Sequence, residues 1–125
     1  MLGSSELYEA LNVTGVTTLL GTYGTKPAIW HDILIPQDYQ GDSVNFYLTT
    51  PYNAASDEQI YEYTINCRSN TYLKARNIMY AVLTAINRVS YTDFYITCIT
   101  LPGISPIDDT DNYNCPITAT IKSRG

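Results

Sequence analysis

The chain has 125 residues, of which 45% are hydrophobic, and this size and composition predict one folded domain with its own core. Seven Lys and Arg against twelve Asp and Glu give a net charge of −5, which disfavours nucleic-acid binding because such surfaces need clustered positive charge. The first twelve residues lack the pattern of a signal peptide, and no stretch approaches the roughly 18 apolar residues of a membrane span. We therefore expect a soluble protein made in a cytoplasm.

Cysteine and tyrosine usage indicate a reduced, assembling protein. Cys67, Cys98 and Cys115 are odd in number and widely spaced, which predicts buried free thiols rather than disulfides or a zinc site. There are twelve Tyr against two Phe and one Trp. A tyrosine ring buries apolar area while its hydroxyl stays wet, which suits contact with another protein as well as amphipathic packing on strands.

The first third of the chain predicts short elements. A helix is expected from about Glu6 to Asn12, with Leu7 and Leu11 as its buried stripe. Thr14-Gly15 is expected to break that helix before a second apolar turn. The proline-containing segment from Lys26 to Gly41 is expected to be extended chain with loops.

The rest of the chain predicts an α+β fold, with a mainly antiparallel sheet of about four strands, one long helix packed on a face and a short N-terminal helix. The strongest helix follows the possible N-caps Ser69-Asn70-Thr71 and runs to about Arg88, with apolar residues at three- and four-residue spacing. Alternation of apolar and polar residues predicts the strands. These strands cover Val44–Thr49, Ile60–Arg68, Phe94–Cys98 and Cys115–Lys122.

The sequence carries no recognisable catalytic motif. His31 has no convincing nucleophile or Gly-x-Ser-x-Gly elbow to serve, so it is expected to be an ordinary surface or packing residue. The basic residues of the long helix, Lys74, Arg76 and Arg88, are expected to form a solvated surface, with a partner-binding patch as the alternative. We expect no enzymatic activity, no cofactor and no metal.

An acidic segment near the C-terminus, with Asp108, Asp109 and Asp111, does not match a calcium-binding EF-hand loop. An EF-hand needs glycine at its sixth position and a carboxylate at its twelfth, but counting from Asp109 these positions hold Asn114 and Thr120. The segment is therefore expected to be a solvated acidic loop, with a loosely bound cation as the alternative.

One segment carries a family resemblance. An alternating strand, Ile60–Arg68, runs into the polar turn Ser69-Asn70-Thr71 and then directly into a long helix. This layout, together with a short N-terminal helix, Pro27-Ala28-Ile29 and a final strand, resembles the tail-terminator and tail-completion (minor tail) proteins of tailed bacteriophages. The helix residues that carry the resemblance are Ala75, Ile78, Ala81, Val82 and Ile86.

The resemblance implies a structural role in the virion. Such proteins form a ring, usually of six subunits, at the head-proximal end of the tail tube, where they end tube polymerisation and join the tail to the head connector. It implies three partners: further copies of this chain, the tail tube protein and a head–tail connector protein. DNA would pass through the bore without specific binding, and assembly would take place in the host cytoplasm. No catalytic residues come with the resemblance.

Polar loops are the expected contact regions between subunits. The loops are Gln37–Ser43, Pro51–Gln59 and Leu101–Asn114. Shortening the third loop is expected to leave a folded protein that no longer forms rings. The candidate interface residues within the loops are Tyr39, Asp42, Tyr52, Asp57, Asp108, Asp109, Asp111 and Tyr113. For each tyrosine, the alternative is an exposed loop residue with no partner.

Other functions remain open at the level of sequence. A head–tail connector stopper or adaptor is similarly small and ring-forming. A small host module that binds a ligand or peptide, and an enzyme with an unrecognised site, belong to different classes. A tail-tube gene immediately downstream would favour the terminator, whereas a stable monomer at high concentration would favour the binding module.

Overall fold

The computed structural model describes residues 4–31, 39, 41–53, 59–90, 94–100 and 113–123. Its helices are short at the N-terminus and long in the centre, and its strands form one two-stranded and one five-stranded sheet. The elements in chain order are α1 (Ser4–Leu11), α2 (Thr14–Thr17), β1 (Thr22–Tyr23), β2 (Lys26–Pro27), β3 (Ile29–His31), β4 (Ser43–Asn53), β5 (Gln59–Ser69), α3 (Tyr72–Ile86), β6 (Phe94–Thr100) and β7 (Tyr113–Ser123).

The larger sheet has the strand order β3-β4-β5-β7-β6. Strands β4, β5, β7 and β6 pair antiparallel, and β3 adds a parallel strand at one edge. After β5 the chain crosses through α3 to the far edge, and β7 returns between β5 and β6. The predicted α+β class, the antiparallel sheet and both helices are confirmed. The fifth strand is Ile29–His31, which lies in a segment expected to be loops and extended chain.

The core lies between α3 and one face of this sheet. Alternate residues of each strand point into it, as the period-two pattern predicts. On the helix, Ala75, Ile78, Met79, Val82 and Ile86 are buried, which confirms the predicted apolar stripe. The N-terminal helices contribute Leu7, Leu11 and Val16, all fully buried. The strand residues of the core are Val44, Phe46, Tyr63, Ile65, Cys67, Ile96, Cys115, Ile117, Ala119 and Ile121.

Specific backbone and side-chain contacts explain where α3 begins and where it ends. The Thr71 side chain accepts a hydrogen bond from the Lys74 backbone N–H at 3.3 Å, so the predicted cap is formed. The helix ends at Ile86, two residues before the expected position. Arg88 has a positive φ of 65°, and its N–H donates to the Ile96 carbonyl at 2.8 Å, so the backbone has already turned towards β6.

The start of the chain departs from expectation at Thr14. This residue begins α2 rather than only ending α1, because the Val13 carbonyl accepts hydrogen bonds from Val16 at 2.9 Å and Thr17 at 2.8 Å. Gly15 is accommodated within that single turn. The first helix also begins earlier than predicted, at Ser4.

Two of the expected loops are shorter than predicted, because strands extend through proline. β4 continues past Pro51, and β7 begins at Tyr113, three residues before Pro116. Proline has no backbone N–H to donate to a ladder, so within a sheet it is tolerated where one side of its strand has no pairing residue. β3 pairs with β4 only as far as Phe46, and β6 pairs with β7 only from Ile117 onward. Pro51 pairs with Tyr61 and Pro116 pairs with Asn66, both in β5, and within the described residues neither proline has a pairing residue on its other side.

Candidate assembly surface

The side of α3 that faces away from the sheet carries large apolar residues. Leu73 is 56% exposed and Tyr80 is 55% exposed, and their spacing of seven residues places them on the same side of the helix. Tyr72 is 42% exposed on the neighbouring row. Surface helices ordinarily carry polar residues on the side opposite the core. We call the residues Tyr72, Leu73, Arg76 and Tyr80 the outer stripe of α3.

Arg76 is positioned by aromatic rings at one end of the outer stripe. Its guanidinium carbon lies 5.9 Å from the centroid of the Tyr72 ring, a cation–π geometry. The Tyr72 ring lies 6.4 Å from that of Tyr113 in β7. The Nε atom of Arg76 is buried and has no hydrogen-bond partner. The expectation of a solvated side chain was therefore wrong for Arg76.

The positive charge of Arg76 also affects the buried thiol of Cys115 in the core. Burial raises the pKa of the Cys115 thiol, and the positive charge of Arg76 acts in the opposite direction. No carboxylate among the described residues pairs with this guanidinium.

The face of the larger sheet that points away from α3 is rich in threonine. Thr64 and Thr118 are neighbours in the β5–β7 register, and the Thr49 and Thr64 hydroxyls share a hydrogen bond of 2.6 Å. Ile99, which follows the same alternation in β6, is 64% exposed. No described helix packs on this face.

Tyr39 and Asp42, two of the predicted interface residues, lie together and have roles within the subunit. The Tyr39 hydroxyl donates to the Asp42 carbonyl at 2.6 Å, and its ring contacts Trp30 at a centroid distance of 5.0 Å. The Asp42 Oδ1 atom accepts from the hydroxyl of Ser69, which is fully buried, at 2.6 Å. Burial is the main cause that raises the pKa of Tyr39. These contacts attach Tyr39 and Asp42 to Trp30 in β3 and Ser69 in β5.

The other predicted interface residues are divided between strands and regions outside the described residues. Tyr52 lies in β4, opposite Ile60, and Tyr113 begins β7, so both predictions of a loop position were wrong. Tyr113 nevertheless borders the outer stripe through its contact with Tyr72. The four aspartates of the set, Asp57, Asp108, Asp109 and Asp111, lie outside the described residues.

Sequence reasoning missed the outer stripe itself. The buried stripe of α3 was enough to predict the helix. The apolar residues on its other side were therefore given no role. The signal was present in Leu73 and Tyr80, two large residues seven apart on a helix whose core positions were already assigned. Tyr72, at the first helical position, lies on the neighbouring row.

His31 lines a shallow, open depression with Ser5, Tyr8 and Glu9. Its imidazole stacks on the Phe46 ring, with 5.1 Å between centroids and 21° between planes. This packing contact agrees with the interpretation of His31 as a packing or surface residue. Among the described residues, no group of three or more His, Cys, Asp or Glu side chains could hold a metal ion. None of the described helices is long and apolar enough to cross a membrane.

Comparison with known proteins relates this chain by fold rather than by sequence. No family model and no curated protein matches the chain. It is similar to a chain in the solved structure of the virion of a native gene transfer agent particle, with a TM-score of 0.68 and 16% sequence identity. The match covers 95% of this chain and 92% of that chain. The protein therefore has, over nearly its whole length, the fold of a chain found in that virion structure.

Proposed function

We propose that this protein is a non-catalytic structural component of a virion, and that it forms a ring at the head-proximal end of a phage tail tube. The observation that carries the proposal is the fold shared across 95% of the chain with a chain of a virion particle. The resemblance of the strand, turn and helix around Ser69-Asn70-Thr71 to tail-terminator proteins supports the more specific role.

The ring would act by geometry rather than by chemistry. Each copy presents one surface to the next copy and a different surface to the previous one, and such a heterologous contact closes into a ring when the rotation per step fits. One side of the ring would bind the last layer of tube subunits. The other side would offer no site for another layer, so tube growth would end there and the head connector would bind instead.

The charge of the chain is compatible with DNA passage. A net charge of −5 on each copy repels phosphate, so DNA would pass through the ring without being held. Contact residues for the tube and the connector would come from surfaces outside the core between α3 and the sheet.

Ring formation is tested with the purified protein. Negative-stain electron microscopy would show rings, and multi-angle light scattering would give a mass that is a multiple of the 14.0 kDa chain, with six copies expected. A monomer that persists at high concentration and shows no rings would contradict the proposal.

The position of the ring is tested by inactivating the gene in the element that encodes it. A terminator is expected to leave overlong tails that are not joined to heads. Tails of normal length without heads would indicate the connector stopper or adaptor instead. Particles with normal tails and normal joining would contradict a role at this junction.

A further inference from the structure

Helix α3 has apolar groups on two opposite sides, and only one of them is covered by the described residues. The inward side packs on the sheet, whereas Leu73 and Tyr80 on the outer stripe are each more than half exposed. Tyrosine and arginine are over-represented among the residues that dominate protein–protein binding energy. The outer stripe combines both types with an exposed leucine.

Arg76 adds a polar requirement to this apolar surface. Its guanidinium carbon lies 5.9 Å from the centroid of the Tyr72 ring, and the side chain as a whole is only partly buried. A carboxylate that approaches beside Tyr72 would form a charge-assisted hydrogen bond with a guanidinium that is already oriented. The stripe therefore fits a partner surface that carries both apolar and acidic groups.

The charge distribution identifies a second copy of this chain as that partner. α3 contains Lys74 and Arg76 and no acidic residue, so it carries +2. Because the whole chain carries −5, the residues outside α3 sum to −7. A second copy of the chain is thus acidic outside α3, where Glu9 is exposed, and is complementary in charge to the basic helix. A ring brings such copies into contact.

The same charges determine the geometry of the contact. If two outer stripes met across a two-fold axis, both Arg76 side chains would enter one interface with no acid on either helix to neutralise them. The stripe must therefore meet a different surface of the next copy. Such a heterologous contact is the type that builds rings.

We propose that the outer stripe of α3 docks onto an acidic surface, outside α3, of the adjacent copy of this chain. The inference rests on the proposed function, because it names the contact through which the ring forms.

Exposed side chains allow a test that leaves the subunit folded. In a Leu73→Ser/Tyr80→Ser variant, the concentration needed for ring formation is expected to rise by about tenfold or more, because two central apolar contacts are lost. Ile99→Ser is the matched control, since Ile99 is 64% exposed on the opposite side of the sheet. Sedimentation velocity over a dilution series measures assembly, and urea unfolding of the dilute protein should give midpoints equal to the wild type.

A second pair of variants tests the charge. Arg76→Gln is expected to weaken assembly and to reduce its dependence on salt, because the ionic contact is lost. Arg76→Lys keeps the positive charge but lacks the planar guanidinium. Its tendency to assemble should lie between those of the wild type and Arg76→Gln. Near-UV circular dichroism reports whether both variants retain the packing around Tyr72 and Tyr113.

The outcomes separate the inference from the proposed function. If the double variant forms rings at the wild-type concentration, the inference is overturned, whereas the function of the ring stands. Rings that form normally but no longer join heads to tails would assign the stripe to another virion protein and overturn the choice of a second copy. If the wild-type chain forms no rings and its loss leaves particles intact, both fail.

Discussion

The backbone N–H of Gly21 and the hydroxyl of Tyr39 donate hydrogen bonds to the same acceptor, the carbonyl oxygen of Asp42, at 3.1 and 2.6 Å. The two donors lie so close that a side chain on Gly21 would overlap the Tyr39 hydroxyl. The Gly21 carbonyl in turn accepts from Ala28 at 2.9 Å. Gly21 therefore connects the segment around Tyr39 to the short β1–β2 hairpin.

A methyl group at Gly21 is expected to destabilise the protein through this overlap. Gly21→Ala should lower the free energy of unfolding by about 1–3 kcal/mol, as overpacking commonly does. In a Tyr39→Phe background the hydroxyl is absent, so the same substitution should cost less. Urea unfolding of the four proteins gives the coupling between the two positions. Equal costs in both backgrounds would rule out the overlap as the cause.

The hydrogen bond between Ser69 and Asp42 is expected to stabilise the subunit. Ser69→Ala removes a fully buried hydroxyl that donates to a carboxylate, which should lower the free energy of unfolding by about 1.5–3 kcal/mol. Thr97→Ala, at an exposed hydroxyl on β6, serves as the control and should change stability little. Rings formed by the folded Ser69 variant should match the wild type. A selective loss of assembly would instead show that Asp42 contacts a partner, as the sequence analysis expected.

The cap of α3 offers a local test of helix stability. Thr71→Ala removes the acceptor of the Lys74 N–H and should cost about 1 kcal/mol, whereas Thr71→Ser should stay within a few tenths of the wild type. Thermal or urea unfolding measures both. If Thr71→Ala and Thr71→Ser lowered the free energy of unfolding by the same amount, the Thr71 hydroxyl would not be acting as the cap.

Alkaline pH is expected to destabilise the fold through its buried thiols. Burial raises the pKa of Cys98 from 9.0 to about 12, and it raises the pKa values of Cys67 and Cys115 as well. Above pH 9 the unfolded chain releases these protons while the folded protein retains them, so the unfolded state binds fewer protons. This contribution to stability is complete below about pH 9 and is lost as the pH rises towards 12.

The pH effect is measured as the free energy of unfolding at several values between pH 7 and 10.5. Tyrosines also titrate in this range, so the informative comparison is between the wild type and Cys98→Ala. The variant should lose less stability per pH unit. Parallel curves would show that Cys98 does not contribute.

The thiols of Cys67 and Cys115 are expected to be unreactive in the folded protein. The two residues are fully buried and lie opposite each other in the β5–β7 register. Because the thiolate is the reactive form, burial and a raised pKa both suppress modification. A thiol reagent at pH 8 should label them only after urea unfolding. Rapid labelling of Cys67 in the native protein would contradict its placement in the core.

The parts of the fold that the sequence predicted well are those with unambiguous periodicity. In β5, Tyr63, Ile65 and Cys67 are buried while the residues between them are only partly so, as strict alternation requires. The inward stripe of α3 follows the same logic at helical spacing. A short element such as β3 gives no such signal, because three residues are too few to establish a period and its parallel pairing depends on β4.

The candidate site was harder to predict than the core. Residues that lie on a surface need not recur at a regular spacing in the sequence, as buried residues do. Tyr39 lay in a polar, glycine-containing segment that indicated a loop, but its hydroxyl satisfies the Asp42 carbonyl of its own subunit. Tyr113 follows an acidic segment in the sequence and yet begins a strand, and Pro116 lies one residue before the first described pair of β7 with β6. Leu73 and Tyr80 lie seven residues apart, outside the predicted core stripe of α3, but exposed apolar residues on a helix do not by themselves show that they bind a partner.

The burial of Cys67 and Cys115 has a consequence for the proposed role as a virion component. Such a protein passes from a reducing compartment to an oxidising medium without chaperones or reductants to repair it. Cys67 and Cys115 are buried in the packed core as protonated thiols. Neither an oxidant nor a thiol reagent in the medium can therefore reach and modify them. The shape that a subunit acquires at assembly can then persist unchanged outside the host.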